Sequence, residues 1–137
     1  MDDHDRRAQG ERIRREVLGD AHVDRSQAAV TPLTADFQDL LTRFAWGDVW
    51  ARPGLDRRFR SAVTLAALTA LGKEEELAMH LRAALRNGLT REQIAEVLLH
   101  TGVYAGIPAA NRAFALAVRE LADPDEHPGP DPDGDPS

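Results

Sequence analysis

The sequence contains no cysteine among its 137 residues. That absence excludes disulfides, thiolate metal sites, iron–sulfur clusters and redox-active thiols. Long apolar runs are also missing, since no stretch approaches the roughly 20 residues of a membrane-spanning helix. The first residues, MDDHDRRAQGERIRRE, are charged throughout and lack the apolar centre of a signal peptide. We therefore expect a cytoplasmic protein with no membrane contact.

An excess of basic residues is absent as well, and the formal net charge is −6. Six of the 23 acidic residues and five of the eight prolines lie in residues 122–137, which contain no Lys or Arg. The remainder carries 17 acidic and 17 basic residues, a balance that argues against a nucleic-acid-binding surface. We predict one domain over residues 1–121, followed by a disordered acidic tail, because the composition of 122–137 cannot repay the entropy of ordering.

No stretch alternates as a β-strand does, and helical signals dominate, so we predict an all-α fold of five to six helices. A charged helix is expected over residues 5–18, and the segment GDAHVDRSQAAVTPL (19–33) is expected to be irregular. A second helix should be capped by Thr34 and run to about Trp46, with Phe37, Leu40 and Phe44 among its apolar residues.

Four further helices are predicted from their start and stop signals. The first begins at Asp56 and ends at Gly72, and its body SAVTLAALTALG is apolar on every side, so it should be central. The next ends at Asn87 and Gly88. A capping box of Thr90 and Gln93 opens the third, and the last runs from about Pro108 to Leu121.

One histidine lies where a helix normally keeps an apolar residue. In EEELAMHLRAALRNG (74–88), the positions after Leu77 that face the same side include His80, Leu81, Ala84 and Leu85. Glu76 lies one turn before His80 on that side. Two interpretations remain open: a buried structural hydrogen bond, or the working part of a site.

Arginines concentrate in WGDVWARPGLDRRFRS (46–61), whose residues 52–60 contain Arg52, Arg57, Arg58 and Arg60 against a single acid, Asp56. The helix that starts there therefore has positive charge in its first turn, against the preference of the helix dipole. A bound anion would resolve this conflict. The alternative is a solvated arginine-rich turn or salt bridges between subunits.

Aromatic residues are few, and the two tryptophans, Trp46 and Trp50, lie four residues apart. They are candidates to wall an apolar pocket, although packing alone also explains them. Tyr104 lies one helical turn from His100, and His22 lies in the segment expected to be irregular. No HExxH motif occurs, and Glu76 with His80 supplies only two of the three protein ligands of a catalytic zinc site, so no metal is predicted.

Three stretches resemble the carboxymuconolactone decarboxylase family: VLGDAHVDRS (17–26), FAWGDVWARPGLDRRFRS (44–61) and residues 75–114. The resemblance covers about residues 11 to 121. The last stretch is shared with the wider AhpD-like alkylhydroperoxidase superfamily, whose redox members place Cys-x-x-Cys four and seven residues before the histidine. Those positions hold Glu76 and Lys73 here, so the thiols of a peroxidase are missing.

The resemblance implies an all-α AhpD-like fold that assembles as a homo-oligomer, a trimer or hexamer, with sites near subunit contacts. It also implies cofactor-independent decarboxylation of γ-carboxymuconolactone, a dicarboxylate lactone, to β-ketoadipate enol-lactone in protocatechuate catabolism. We hypothesise that His80 is the general acid and that Glu76 fixes its tautomer and favours its charged form. The substrate-binding candidates are Arg52, Arg57, Arg58, Arg60, Trp46, Trp50, Tyr104 and His22.

Two rival functions stay open beside this one. The first is a related lyase or isomerase that acts on another small carboxylated lactone or keto acid. The second is a non-catalytic oligomeric protein whose arginines hold a regulatory anion, which would be stabilised by its ligand without turnover.

Overall fold

The fold is known from a computed structural model that describes residues 1–122. It contains α1 (Asp3–Leu18), α2 (Asp20–Ala28), α3 (Ala35–Leu41), a π-helix (Thr42–Trp50), α4 (Arg57–Leu71), α5 (Glu74–Arg86), α6 (Arg91–Ala105) and α7 (Ile107–Glu120). No strand occurs in these residues, which confirms the all-α class, although the helices outnumber the five to six expected. None of the described helices has both the length and the apolar character to cross a bilayer. The acidic tail predicted over 122–137 lies, apart from its first residue, outside the described part of the chain.

Several helix boundaries form as the local sequence predicts. The Asp56 carboxylate accepts a hydrogen bond from the Phe59 amide at 3.0 Å and caps α4. Gly72 ends the same helix in the left-handed region, with φ of 70°. Thr90 and Gln93 form both hydrogen bonds of a capping box at the start of α6. These signals act within one turn of the chain, so the sequence alone suffices to place them.

The segment expected to be irregular instead contains α2. Gly19 ends α1 with φ of 90°, a conformation that glycine adopts without strain, and the chain turns at once into the next helix. Val23 is fully buried and anchors α2 to the domain. Arg15 of α1 pairs with Asp20 at 3.2 Å and with Asp24 at 2.9 Å, which fixes the two helices against each other.

The helix predicted to run from Thr34 to Trp46 is divided. Its first part, α3, ends at Leu41, and the chain continues as a π-helix to Trp50. The Thr34 hydroxyl accepts a hydrogen bond from the Thr31 amide and does not cap α3. The apolar residues expected on its inner face are largely exposed: Phe37 by 63%, Leu40 by 51% and Phe44 by 60%.

Two apolar cores lie side by side. The larger joins α4, α5, α6 and α7 through the buried residues Leu65, Leu77, Leu81, Ala84, Leu89, Ile94, Leu98, Ala113 and Ala117. The smaller joins α1 to the π-helix through Ile13, Val17 and Trp46. Helix α5 packs on both α1 and α4. It therefore carries side chains at the junction of the two cores.

Helix α4 is less central than its apolar sequence predicts. Ser61, Leu65 and Thr69 are buried, but Val63 is 59% exposed and Leu71 is 68% exposed. Within a single chain the prediction of a central helix is therefore wrong, because α5, α6 and α7 cover only one side of it.

Candidate functional site

The junction of the two cores brings three aromatic rings together. The His80 ring lies 6.5 Å from that of Trp46 and 6.2 Å from that of Trp50, with interplanar angles of 14° and 15°. The two indoles stack on each other at 5.2 Å. The wider turn of a π-helix, with hydrogen bonds from i to i+5, brings side chains four residues apart close to one line. The residues singled out separately in the sequence thus form one cluster.

Burial makes His80 a neutral imidazole at pH 7. Its pKa is lowered to about 4, mainly by loss of solvent and to a smaller extent by the nearby His22, while the charge of Glu76 acts in the opposite direction. Its Nδ1 atom is buried and has no hydrogen-bond partner among residues 1–122. A polar atom in that position costs free energy, which suggests a function for the ring beyond packing.

Glu76 plays a smaller part than we hypothesised. Its side chain is exposed, and it forms no hydrogen bond with His80 in the described residues. Its charge does raise the pKa of the imidazole, as expected, but burial outweighs that effect. The structure therefore gives Glu76 a modest electrostatic influence and no means of fixing the tautomer.

His22 reaches the site from α2 of the same chain. Burial lowers its pKa, and the charges of Arg14, Arg25 and Arg82 lower it further. Its ring lies close enough to His80 to lower the pKa of that residue as well. His22 also lines a cavity of about 310 Å³ together with Arg25, Arg82 and Arg86. His22 is thus surrounded by several arginines against one acid of the cavity, Asp20, and this positive environment suits an anionic ligand.

The N-terminus of α4 does not present a free arginine cluster. The Asp56 carboxylate occupies it as the helix cap, and Arg58 lies 3.6 Å from that carboxylate. Arg57 pairs with Glu16 of α1 at 2.5 Å. Asp56 and Glu16 thus neutralise much of the positive charge in the first turn of α4, for which the sequence had suggested a bound anion.

The remaining members of the arginine set are separated. Arg58 points to a cavity of about 440 Å³ between α4 and α6, which Phe59 and Glu96 also line. Arg52 is exposed, and its carbonyl oxygen accepts a hydrogen bond from Nη2 of Arg60 at 2.9 Å. Nε of Arg60 is buried and has no partner within residues 1–122. Of the four arginines, Arg60 alone combines a buried guanidinium nitrogen with unused hydrogen-bonding capacity.

Tyr104 lies on the surface. Its side chain is 82% exposed, and its ring packs on His100 at 5.5 Å with an angle of 44°. The rings that stack on His80 are the two tryptophans. A single chain does not bring Tyr104 into the aromatic cluster.

Sequence reasoning missed Arg14. This residue of α1 is only 9% exposed, although it lies in a helix that reads as uniformly charged. The signal was its spacing from Gly10 and Val17, four residues before it and three after it, which places all three on one buried face. No group of three or more metal-ligating side chains forms within residues 1–122.

Lowering the pH from 7 to 5 should destabilise the protein through His80. The pKa of the ring is about 4 in the folded chain and about 6.5 in an unfolded one, so the unfolded state binds the proton first. Stability is full above about pH 6.5 and falls as the pH drops toward 4. The contribution of His80 to the loss between pH 7 and 5 is about 2 kcal/mol, and His80→Gln should remove that contribution. Urea unfolding at fixed protein concentration measures the free energy of unfolding of the wild type and of His80→Gln at each pH.

The control for this experiment is His100→Gln, which removes an exposed histidine ring from α6. The difference in free energy of unfolding between pH 7 and pH 5 should be the same in this variant as in the wild type. Equal pH sensitivity of the wild type and His80→Gln would contradict the burial of an uncharged ring at this position.

Comparisons with known proteins identify the family of the chain. The profile of the carboxymuconolactone decarboxylase family matches residues 35–119. A 4-carboxymuconolactone decarboxylase from Acinetobacter baylyi is 50% identical over 123 residues, which cover 90% of this chain and 92% of that protein. A nitrosuccinic acid decarboxylase from Metarhizium robertsii is 39% identical over 115 residues, 84% of this chain and 80% of that protein. The matched residues include the π-helix and α5, which carry the aromatic cluster. The chain belongs to the carboxymuconolactone decarboxylase family.

Proposed function

We propose that the protein decarboxylates γ-carboxymuconolactone to β-ketoadipate enol-lactone in protocatechuate catabolism. One structural observation carries the proposal: an imidazole with an unpartnered Nδ1 is held against two stacked indoles at the junction of the cores. The relative from Acinetobacter baylyi, matched over nearly its whole length, supports the choice of substrate.

The substrate supplies its own electron sink, so the reaction needs no cofactor. The departing carboxylate is bonded to a ring carbon that is joined through a double bond to the lactone carbonyl. When the bond to carbon dioxide breaks, its electron pair spreads into that carbonyl and gives a dienolate. The protein must then hold a dianion, stabilise the charge that grows on the lactone oxygen, and deliver a proton to carbon.

His80 is the proposed proton donor. In the free protein the ring is neutral, because its pKa is about 4. A bound dianion places negative charge beside the ring and raises its pKa, so the imidazole gains its proton as the substrate binds. Trp46 and Trp50 exclude water from the same face, which strengthens these electrostatic interactions. The proton then passes from the imidazolium to the ring carbon next to the lactone carbonyl.

Arginines supply the positive charge in this proposal. Arg60 is favoured for the lactone oxygen because its buried Nε has no partner among residues 1–122. Arg52 adjoins it, whereas Arg57 and Arg58 already contact carboxylates of the protein and are weaker candidates. His22 adds a further donor beside His80.

We also propose that the protein works as a homo-oligomer, a trimer or a hexamer. Support comes from the apolar side chains that a single chain leaves exposed, since such patches commonly mark interfaces. They include Val63, Leu71, Val103, Ile107 and Val118, which are exposed by 59–76%. Exposed Tyr104 lies beside this set and in an oligomer would be positioned to reach a neighbouring site.

The direct test is an assay on the purified protein after dialysis against a chelator. With γ-carboxymuconolactone, we expect release of carbon dioxide and loss of the conjugated lactone absorbance at equal rates, without added metal or cofactor. Thermal stabilisation by the substrate with no turnover would instead identify a non-catalytic anion-binding protein.

A second substrate is favoured by the 39% identical nitrosuccinic acid decarboxylase. A nitro group, like the unsaturated lactone, accepts an electron pair when a neighbouring carboxylate departs. The same assay with nitrosuccinate therefore decides between the two substrates. If kcat/KM is higher for nitrosuccinate than for the lactone, nitrosuccinate becomes the proposed substrate.

A further inference from the structure

Among the described residues 1–122, Arg14 is a buried cation without a counter-ion. It is only 9% exposed, and within residues 1–122 its side chain forms neither an ion pair nor a hydrogen bond. Its Nε atom is completely buried with no partner. Burial lowers its pKa, which reflects the cost of keeping a charge out of water. An anion paired with the guanidinium would offset this cost.

The cavity beside Arg14 has room for an anion and no free carboxylate to compete with it. Its volume is about 390 Å³, and its charged lining residues are Arg7, Glu11, Arg14 and Asp39. Asp39 is paired with Arg7 at 3.1 Å. Glu11 accepts hydrogen bonds from Gln27 and Arg15. Of the cations that line this cavity, Arg14 is therefore the one with no anionic partner in residues 1–122.

Arg14 is also connected to the aromatic site. It shares a face of α1 with Val17, which packs in the smaller core with Trp46. On the other side its charge acts on His22, which in turn acts on His80. An anion at Arg14 would thus be linked to the aromatic cluster through Val17 and His22, while the cavity itself is lined by Thr42 of the π-helix and by neither His80 nor the two tryptophans.

We propose that Arg14 binds the carboxylate that the substrate keeps, the one on its carboxymethyl arm. This inference rests on the proposed function. A guanidinium on the departing carboxylate would stabilise the ground state more than the transition state, in which that charge has moved to the lactone oxygen. A guanidinium on the retained carboxylate stabilises both states equally and so contributes to binding. Arg14 is a binding residue in this scheme, and His80 carries the proton.

Steady-state kinetics of Arg14→Met test the assignment. We expect KM for γ-carboxymuconolactone to rise roughly 10- to 100-fold, with kcat within about threefold of the wild type. Arg14→Lys should recover part of the loss, because it keeps the charge but not the two-pronged geometry. The control is Arg12→Met, which removes the same charge from an exposed position of α1 and should leave KM unchanged. An unchanged KM in Arg14→Met, or a loss confined to kcat, would overturn the proposal.

A binding experiment separates this inference from the proposed function. The protein contains two tryptophans, both beside His80, so intrinsic fluorescence reports on ligands at the site. The probes are 2-furylacetate, a five-membered ring with the retained arm, and its uncharged methyl ester. The wild type should bind the acid roughly 10- to 100-fold more tightly than the ester, and Arg14→Met should bind both alike.

The combined outcomes distinguish the two ideas. Suppose that the wild type does not turn over γ-carboxymuconolactone, but binds the acid more tightly than the ester, and that Arg14→Met binds both alike. The proposed substrate is then wrong and the anion site stands. If the wild type is active and Arg14→Met keeps the preference, Arg14 has no part in binding. Circular dichroism checks that the variants are folded. If Arg14→Met is not folded, Arg14→Lys takes its place in both experiments.

Discussion

Replacing His80 with glutamine is expected to reduce kcat for γ-carboxymuconolactone by a factor of roughly 10² to 10⁴, the usual contribution of a positioned proton donor. Glutamine fills a similar space between the tryptophans and α5 but cannot deliver a proton at neutral pH. KM should change little, since in our proposal the arginines bind the carboxylates. The measurement is steady-state decarboxylation, with circular dichroism and tryptophan fluorescence to verify the fold.

The matched control is His100→Gln, which changes an exposed histidine on α6 and should retain full activity. A His80→Gln protein that keeps near-wild-type turnover would remove His80 from the mechanism. The result would leave family membership untouched, because that rests on the profile match and on the identity to the relatives.

The parts of the fold and site that were predictable depend on residues close together in sequence. The capping box at Thr90, the left-handed stop at Gly72 and the position of His80 on the inner face of α5 all follow from spacings of three or four residues. The four-residue spacing of Trp46 and Trp50 singled them out together as candidates for a pocket wall, and their stacking on each other was not predicted.

The parts that escaped prediction depend on distant partners. Arg57 looked available for an anion, but Glu16, which lies 41 residues earlier, neutralises it. Arg14 looked like one charge among many in α1, yet the packing of α1 against other helices buries it. Phe37 was expected to be buried but is exposed. The spacing of apolar residues shows which side chains share a helix face, but it does not show whether another element covers that face.

Gly10→Ala is expected to destabilise the protein by about 3 kcal/mol or more, because α1 and the π-helix cross there without room for a side chain. A Cβ atom on Gly10 would overlap the carbonyl oxygen of Thr42 and lie 3.0 Å from the amide nitrogen of Gly47. Both are backbone atoms, so the helices themselves must separate. Thermal unfolding should show a Tm lower by roughly 10 °C or more.

The control is Gly54→Ala, where a Cβ atom would meet nothing within 4 Å and the backbone is not in the left-handed region. It should change stability by no more than about 0.5 kcal/mol. The π-helix that packs closely against Gly10 also carries Trp46 and Trp50. Separation of the two helices should therefore displace both indoles from His80. A folded Gly10→Ala protein should therefore show altered tryptophan fluorescence and lower kcat as well as lower Tm. If its Tm matches that of Gly54→Ala, the close crossing of the two helices is incorrect, and the placement of the tryptophans against His80 loses its structural basis.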